Sequence, residues 1–221
     1  MLIAEISNAH FGNLDKAKLM IRMAHNAGAD LIKGQAFRPW LIYGGSMPMN
    51  FYEEAAFNEE EYVELIHYAR DLGNDLFYSI FSDDFKELES IQTWHKITGS
   101  QSKNGVKKPD SESLIVSLPA HYDVPKYEKA TILHVGEYLS SDPQLWNIER
   151  ISEKLGRAAG YSDHTIGIKE CIRAHKDFGA VIIEKHFCLT KNEEFEGVVY
   201  RDTVFGSTPK EFEKLAGELQ R

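Results

Sequence analysis

Cysteine is scarce in this chain: Cys171 and Cys188 are the only two in 221 residues, and they form no C-x-x-C pair. A disulfide-stapled scaffold and a four-cysteine zinc site are therefore excluded, and a reducing compartment fits. No apolar run approaches the roughly 18 residues that a membrane span needs. The opening MLIAEISNAH has no basic start and no apolar core behind it, so no signal peptide is expected. Basic residues are outnumbered, 25 Lys and Arg against 34 Asp and Glu, for a net charge of −9. A broad nucleic-acid-binding face is excluded on that ground. An anionic ligand would need lysines, backbone amides or a metal placed locally. Low-complexity segments, interdomain linkers and repeats are also lacking, so residues 1–221 read as one domain. The expectation is a soluble, cytoplasmic protein with neither nucleic acid nor membrane among its partners.

What is present is an alternation. Leu2–Ile6 is a short apolar segment of strand type. Leu14–Asn26 has helical spacing through Leu14, Ala17, Ile21 and Ala24, and Gly28 stands where a C-cap glycine would. Asp30–Lys33 is a second strand. The pattern predicts a parallel β-helix-β unit with a right-handed crossover. Further strands are predicted over Asp75–Ser79, Trp94–Thr98, Leu114–Ser117, Ala130–Val135, Ala158–Ser162 and Ala180–Phe187. Helices are predicted over Asn58–Leu72, Ser82–Ile91 with Ser82 as cap, Asp142–Leu155, Gly167–Phe178 and Thr208–Leu219. Eight strands alternating with helices predict an α/β fold, a (β/α)8 TIM-type barrel. Gly99–Ser113 and Leu118–Lys129 carry no convincing helix, so the fourth and fifth crossover helices are expected to be reduced. A doubly wound open sheet is the alternative architecture.

A parallel barrel builds its site where strands end. The polar residues at those ends are Glu5, Lys33 and Gln35, Ser79, Lys96, Ser117, His134, Ser162 and His164, and Glu184 and His186. Strand alternation puts Glu184 with His186 on one face and Lys185 on the other, so Lys185 faces the helices. His164 and His186 on adjacent strand ends could converge on a divalent metal; each could equally be a hydrogen-bonded core histidine. Lys33 and Lys96 admit three readings: structural ion pairs with Glu5 or another strand-end acid, a cradle for a phosphate-carboxylate ligand, or a Schiff-base lysine as in a class I aldolase. His95 alternates away from Lys96. Cys188 has no paired base and reads as a small core residue. Trp40, Leu41, Ile42, Tyr43 and residues 47–57 are unusually apolar for a loop and are expected to cover the site, form an interface or pack across the barrel mouth.

Several stretches carry a family pattern: IAEISNAHFG and AGADLIKGQAF near the start, HKITGS at 95–100, GYSDHTIGI at 160–168 and GAVIIEKHFCL at 179–189. In this order they resemble the sialic acid synthase family, which joins phosphoenolpyruvate to an N-acetylated hexosamine with metal help and releases phosphate. The resemblance implies a divalent metal, Mn2+ first with Mg2+ or Co2+ as alternatives, on His164 and His186. It implies phosphoenolpyruvate contacts from Lys33, Ser79, Lys96, Ser117 and Ser162. Glu5, Glu184 and Asp202 become the acid-base or water-positioning carboxylates. Gln35, Tyr138 and, in the MPMN segment, Asn50 become sugar-side residues. A homodimer is also implied.

The sequence departs from that pattern in places. Ala9 stands for an asparagine, Gly99 and Ser100 are out of register with a Ser-Gly, and Gln101 stands for a glutamate. Ser117 lacks the following Thr-Gly-Met, and Val135 and Cys188 replace a cysteine and a threonine. The family's C-terminal antifreeze-like domain, which supplies an arginine to the sugar, has no counterpart before Arg221. The expectation is a reduced synthase with its metal and phosphoenolpyruvate side retained and its sugar side altered. A catalytically silent sugar- or partner-binding barrel is the competing reading.

Overall fold

The computed structural model describes residues 1–39, 47–106 and 108–220. Eight parallel strands form one sheet: β1 Leu2–Ser7, β2 Leu31–Ala36, β3 Leu76–Ile80, β4 His95–Ile97, β5 Leu114–Pro119, β6 Thr131–Val135, β7 Gly160–Asp163 and β8 Ile183–His186. Their hydrogen-bonded order is β3-β2-β1-β8-β7-β6-β5-β4. Because β1 pairs with β8 as well as β2, the sheet curls into the predicted (β/α)8 TIM-type barrel. Among the described residues no ladder joins β3 to β4, and side chains close this seam instead. Gln92 Oε1 accepts from Tyr78 N at 3.1 Å, and Gln101 Nε2 donates to the Ile80 carbonyl at 2.7 Å.

The helices form where the sequence caps them. α1 (Leu14–Asn26) starts at Asn13, whose side chain accepts from Lys16 N. α2 covers Met49–Ala55, and α3 (Glu59–Asp71) opens with a capping box of Asn58 and Glu61. α4 is shorter than expected, Lys86–Ile91. Ser82 is not its cap: the Ser82 hydroxyl is taken up in a local turn, accepting from Asp84 N. The fourth crossover keeps one short helix, α5 (Gly99–Lys103), capped by Thr98 with Gln101. No helix is found in the fifth among the described residues. α6 (Trp146–Leu155) and α7 (Lys169–Lys176) follow β6 and β7. After β8 come a small hairpin, β9 (Glu194–Phe195) with β10 (Val198–Val199), then α8 (Arg201–Phe205) and α9 (Pro209–Leu219). The apolar 47–57 segment is largely α2, with Phe51, Tyr52 and Ala55 buried as core packing. Trp40, Leu41, Ile42 and Tyr43 lie outside the described residues. No helix among the described residues is long and apolar enough to cross a membrane.

Strand parity divides the interior into layers. Ile3, Leu31, Phe77, Ile115, Leu133 and Ile182 form an apolar floor inside the barrel, with Trp94 against it. Gly160 completes that floor because any Cβ there would sit 2.4 Å from a Leu133 methyl and 2.6 Å from the Ile182 carbonyl. The opposite parity, including Ala4, Ile32, Leu76, Val116 and Ile132, packs against the helices in the larger core. Two residues above the floor on each strand comes the next inward position. It reads Glu5, Lys33, Ser79, Lys96, Ser117, Val135, Ser162 and Glu184. The site is that layer.

Candidate active site

Apart from Val135, this layer is polar, and every polar member is buried. Burying charge is costly unless it is paired, and here the charges pair with one another. Lys33 Nζ forms an ion pair with Glu5 Oε2, donates to Ser79 Oγ at 3.3 Å and lies 3.8 Å from Glu184 Oε1. Lys96 Nζ donates to Glu184 Oε2 at 2.9 Å, and Ser162 Oγ donates to Glu184 Oε1 at 2.9 Å. The other oxygen of Glu5 accepts from Ser7 N at 2.8 Å. Two ammonium groups and two carboxylates thus form one network.

Burial works against ionisation of Glu184, but the Lys33 and Lys96 charges and the bonds from Lys96 and Ser162 overcome it, holding this carboxyl well below the usual range. Burial lowers the Lys33 amine to about 8; Glu184 opposes that fall and Lys96 adds to it. Burial also lowers Lys96, against the pull of Glu184.

A cavity of about 740 Å³ opens above the network at the C-terminal mouth, lined among others by Glu5, Lys33, Gln35, Lys96, Ser117, Ser162, Glu184, Tyr138 and Asp202. His164 and His186 line it too, with ring centroids 5.2 Å apart. Burial lowers both histidines to about 3, assisted at His164 by His186 and at His186 by Lys33, so both rings are neutral near pH 7. Nδ1 of each is buried without a hydrogen-bond partner among the described residues. Phe205 packs edge-on against both rings, at 5.5 and 4.9 Å. Asp202 Oδ2 lies 3.6 Å from His186 Nδ1 and accepts from Tyr200 OH at 2.9 Å; burial raises its carboxyl.

Two adjacent neutral imidazoles with unclaimed nitrogens fit part of a divalent cation's shell. No group of three or more His, Cys, Asp or Glu ligands is assembled among the described residues. Water or substrate would therefore complete the shell.

Not every expected residue reaches the cavity. Ser79 is fully buried beneath it and holds Lys33 from below. Asn50 sits on α2, outside the lining residues. Gln35 lines the cavity and accepts from Asn8 Nδ2 at 3.3 Å. Tyr138 stands at the mouth, 50% exposed, its ring 4.5 Å from His164 and 4.1 Å from the Arg201 guanidinium. His134 borders the cavity, but its ring is stacked on Tyr161 and bonded through Nε2 to the Pro143 carbonyl at 2.8 Å. Sequence reasoning missed Thr98, Ser100, Lys103, His121 and Tyr122, which line the outer cavity where the crossovers are reduced. The T-x-x-Q capping pattern at Thr98–Gln101 is the signal that could have found the first two. Tyr200 was missed as well, and no pattern in the sequence marks it.

The fold and this site define a class: a parallel barrel with a buried lysine–carboxylate network at its mouth, beside a pair of neutral histidines. The NeuB family profile matches residues 128–221. The chain is 27% identical over 257 residues to a pseudaminic acid synthase of Campylobacter jejuni, covering 100% of this chain and 73% of that protein. It is 26% identical over 228 residues to the human N-acetylneuraminate-9-phosphate synthase, covering 86% of this chain and 62% of that one. The solved N-acetylneuraminic acid synthetase of Leptospira borgpetersenii superposes with a TM-score of 0.84 at 25% identity, covering 100% of this chain and 82% of that one. Residues 128–221 thus match the NeuB family profile, and along its whole length the chain is similar to synthases of sialic-type acids.

Proposed function

We propose that this barrel condenses phosphoenolpyruvate with an N-acetylated hexosamine, giving a nonulosonic acid of the sialic type and inorganic phosphate. The observation that carries this reading is the meeting, on one cavity, of the Lys33–Glu5–Glu184–Lys96 network and the neutral His164–His186 pair. Lys33 and Lys96 face the anionic donor, with the Ser117 and Ser162 hydroxyls beside them and Ser79 holding Lys33 in place. Held there, the donor's charge is offset and its enol carbon is oriented towards the acceptor. A divalent cation on His164 and His186, Mn2+ first with Mg2+ or Co2+ as alternatives, would supply Lewis acidity at the acceptor's open-chain carbonyl.

The enol carbon then bonds to the carbonyl carbon as the C=O π bond opens to an alkoxide, which takes up a proton to become a hydroxyl, leaving positive charge on the former enol carbon that bears the phosphate oxygen. Water adds there, and the C–O bond to phosphate breaks as the keto group forms. A carboxylate at the mouth takes the water's proton. Glu184 is committed to both lysines and Glu5 to Lys33, so Asp202, which accepts from Tyr200 and is tied to no lysine, is assigned as the base. Gln35 and Tyr138 border the acceptor side.

Phosphate release from phosphoenolpyruvate, measured across a panel of N-acetylated hexosamines with Mn2+ and after chelation, tests the proposal. Sugar-dependent release that stops on chelation is expected. Absence of turnover with every sugar, together with no cation binding, would sink it. The buried, lowered amine of Lys33 favours a second reading, a Schiff-base aldolase. Borohydride trapping of a substrate carbon on Lys33 would establish that instead.

A further inference from the structure

Behind the two histidines, on the helix side of the sheet, lies a second buried ion pair. Register pairs Asp163 of β7 with Lys185 of β8, and both side chains are 0% exposed. Lys185 Nζ bonds to Asp163 Oδ2 and also donates to the Thr165 carbonyl. Asp163 Oδ1 accepts from Tyr161 OH at 2.8 Å, from Thr165 Oγ1 at 2.9 Å and from Thr165 N at 3.2 Å. One lysine therefore grips the residues on both sides of His164, while its own chain neighbour is His186.

The position of this grip matters because β7 ends at Asp163, so His164 lies beyond the last residue of its strand. Apart from the Asp163 and Lys185 bonds, that turn is held through the His164 carbonyl, which accepts from Leu139 N at 3.0 Å. A buried ion pair is weak evidence for stability, since apolar residues of similar volume often serve as well. Its cross-strand geometry is what an apolar pair would not reproduce.

We propose that Lys185 and Asp163 are positioning residues that set the spacing and orientation of the His164–His186 pair, so that cation affinity depends on a salt bridge on the opposite face of the sheet. This rests on reading those histidines as cation ligands. The order Glu-Lys-His on β8 then has one logic: Glu184 inward to the donor cradle, Lys185 outward to the brace, His186 inward to the cation.

The test compares K185M with the double variant D163N/K185M and with K185R. K185M alone leaves Asp163 buried without its cation and is expected to unfold at lower temperature. The double variant leaves no unpaired buried charge, and the amide oxygen it places at position 163 can still accept from Tyr161 and Thr165. It should regain most of the thermal midpoint while binding Mn2+ about tenfold more weakly or worse, the size typical of lost outer-shell partners. Its KM for phosphoenolpyruvate should stay within about threefold of wild type, because the donor cradle lies on the other face. In metal-free protein the ring resonances of His164 and His186 should shift or broaden. A double variant with wild-type Mn2+ affinity and unchanged ring resonances would overturn the proposal. If the wild type itself binds no Mn2+, the cation reading fails, and the ring resonances alone decide whether the brace exists. If the double variant does not fold, K185R decides: retained midpoint with weakened Mn2+ binding supports the brace, and unchanged binding overturns it.

Discussion

Glu184 is the residue on which the site's electrostatics turn, because it joins both lysines through one carboxylate. Glu184→Gln removes that charge and leaves Lys96 buried without its carboxylate partner. Breaking a buried pair from one side costs about 3–5 kcal/mol. A substrate anion can replace the missing charge, so phosphoenolpyruvate should raise the melting temperature of this variant more than that of wild type. Thermal shift titration measures this, and equal shifts would show that the anion does not sit on Lys33 and Lys96. Ser79→Ala is the milder case. It removes one bond to Lys33 from beneath the cavity, so the KM for phosphoenolpyruvate should rise by roughly fivefold, the equivalent of about 1 kcal/mol, with kcat little changed. Steady-state kinetics distinguishes that outcome from the far larger loss expected if Ser79 touched the reacting atoms.

The strands were legible and the short helices were not, for a physical reason. A period of two survives in a segment of four to six residues, so parity alone put Glu184 and His186 on one face and Lys185 on the other, as observed. A helix of five to seven residues shows barely two turns of its period, and α2, α5 and α8 gave no usable signal. Ser82 looked like a cap because a serine before acidic residues satisfies both an N-cap and a local turn; the chain took the turn. Asn50 was assigned through resemblance to a loop, and the segment is a helix packed by Phe51 and Tyr52. The seam between β3 and β4 was equally invisible, since two glutamines close it across long sequence separations. Gln92→Ala leaves the buried Tyr78 N–H without its acceptor, a loss of about 1–3 kcal/mol. Hydrogen exchange should quicken at β3 more than at β1 or β8. Uniform exchange across the barrel would mean that the seam is not a weak edge.

At the scale of the whole molecule, an acidic chain has built a barrel interior that depends on histidines staying neutral. His10, stacked on Phe57, is lowered to about 3 by burial and then by Lys16, as His164 and His186 are lowered at the cavity. In the unfolded chain each returns to about 6.5. Between those values the unfolded state binds the extra protons, so stability is fully present above pH 6.5 and is lost as pH falls towards 3. Each histidine contributes up to about 1.4 kcal/mol per pH unit. Glu184, whose folded value is depressed, acts in the same direction below the ordinary carboxylate range. The metal-free protein should therefore weaken in urea from about pH 6.5 downward, well before carboxylates begin to titrate. Urea midpoints at a series of pH values give the measurement. A plateau persisting to about pH 4.5 would mean that these rings are not held neutral in the interior, and the cation reading would lose its ready-made ligands. If the decline is found, a cation on His164 and His186 must compete with fewer protons than a surface pair would meet. Mn2+ should then stabilise the fold even at about pH 6, where free histidines are already largely charged.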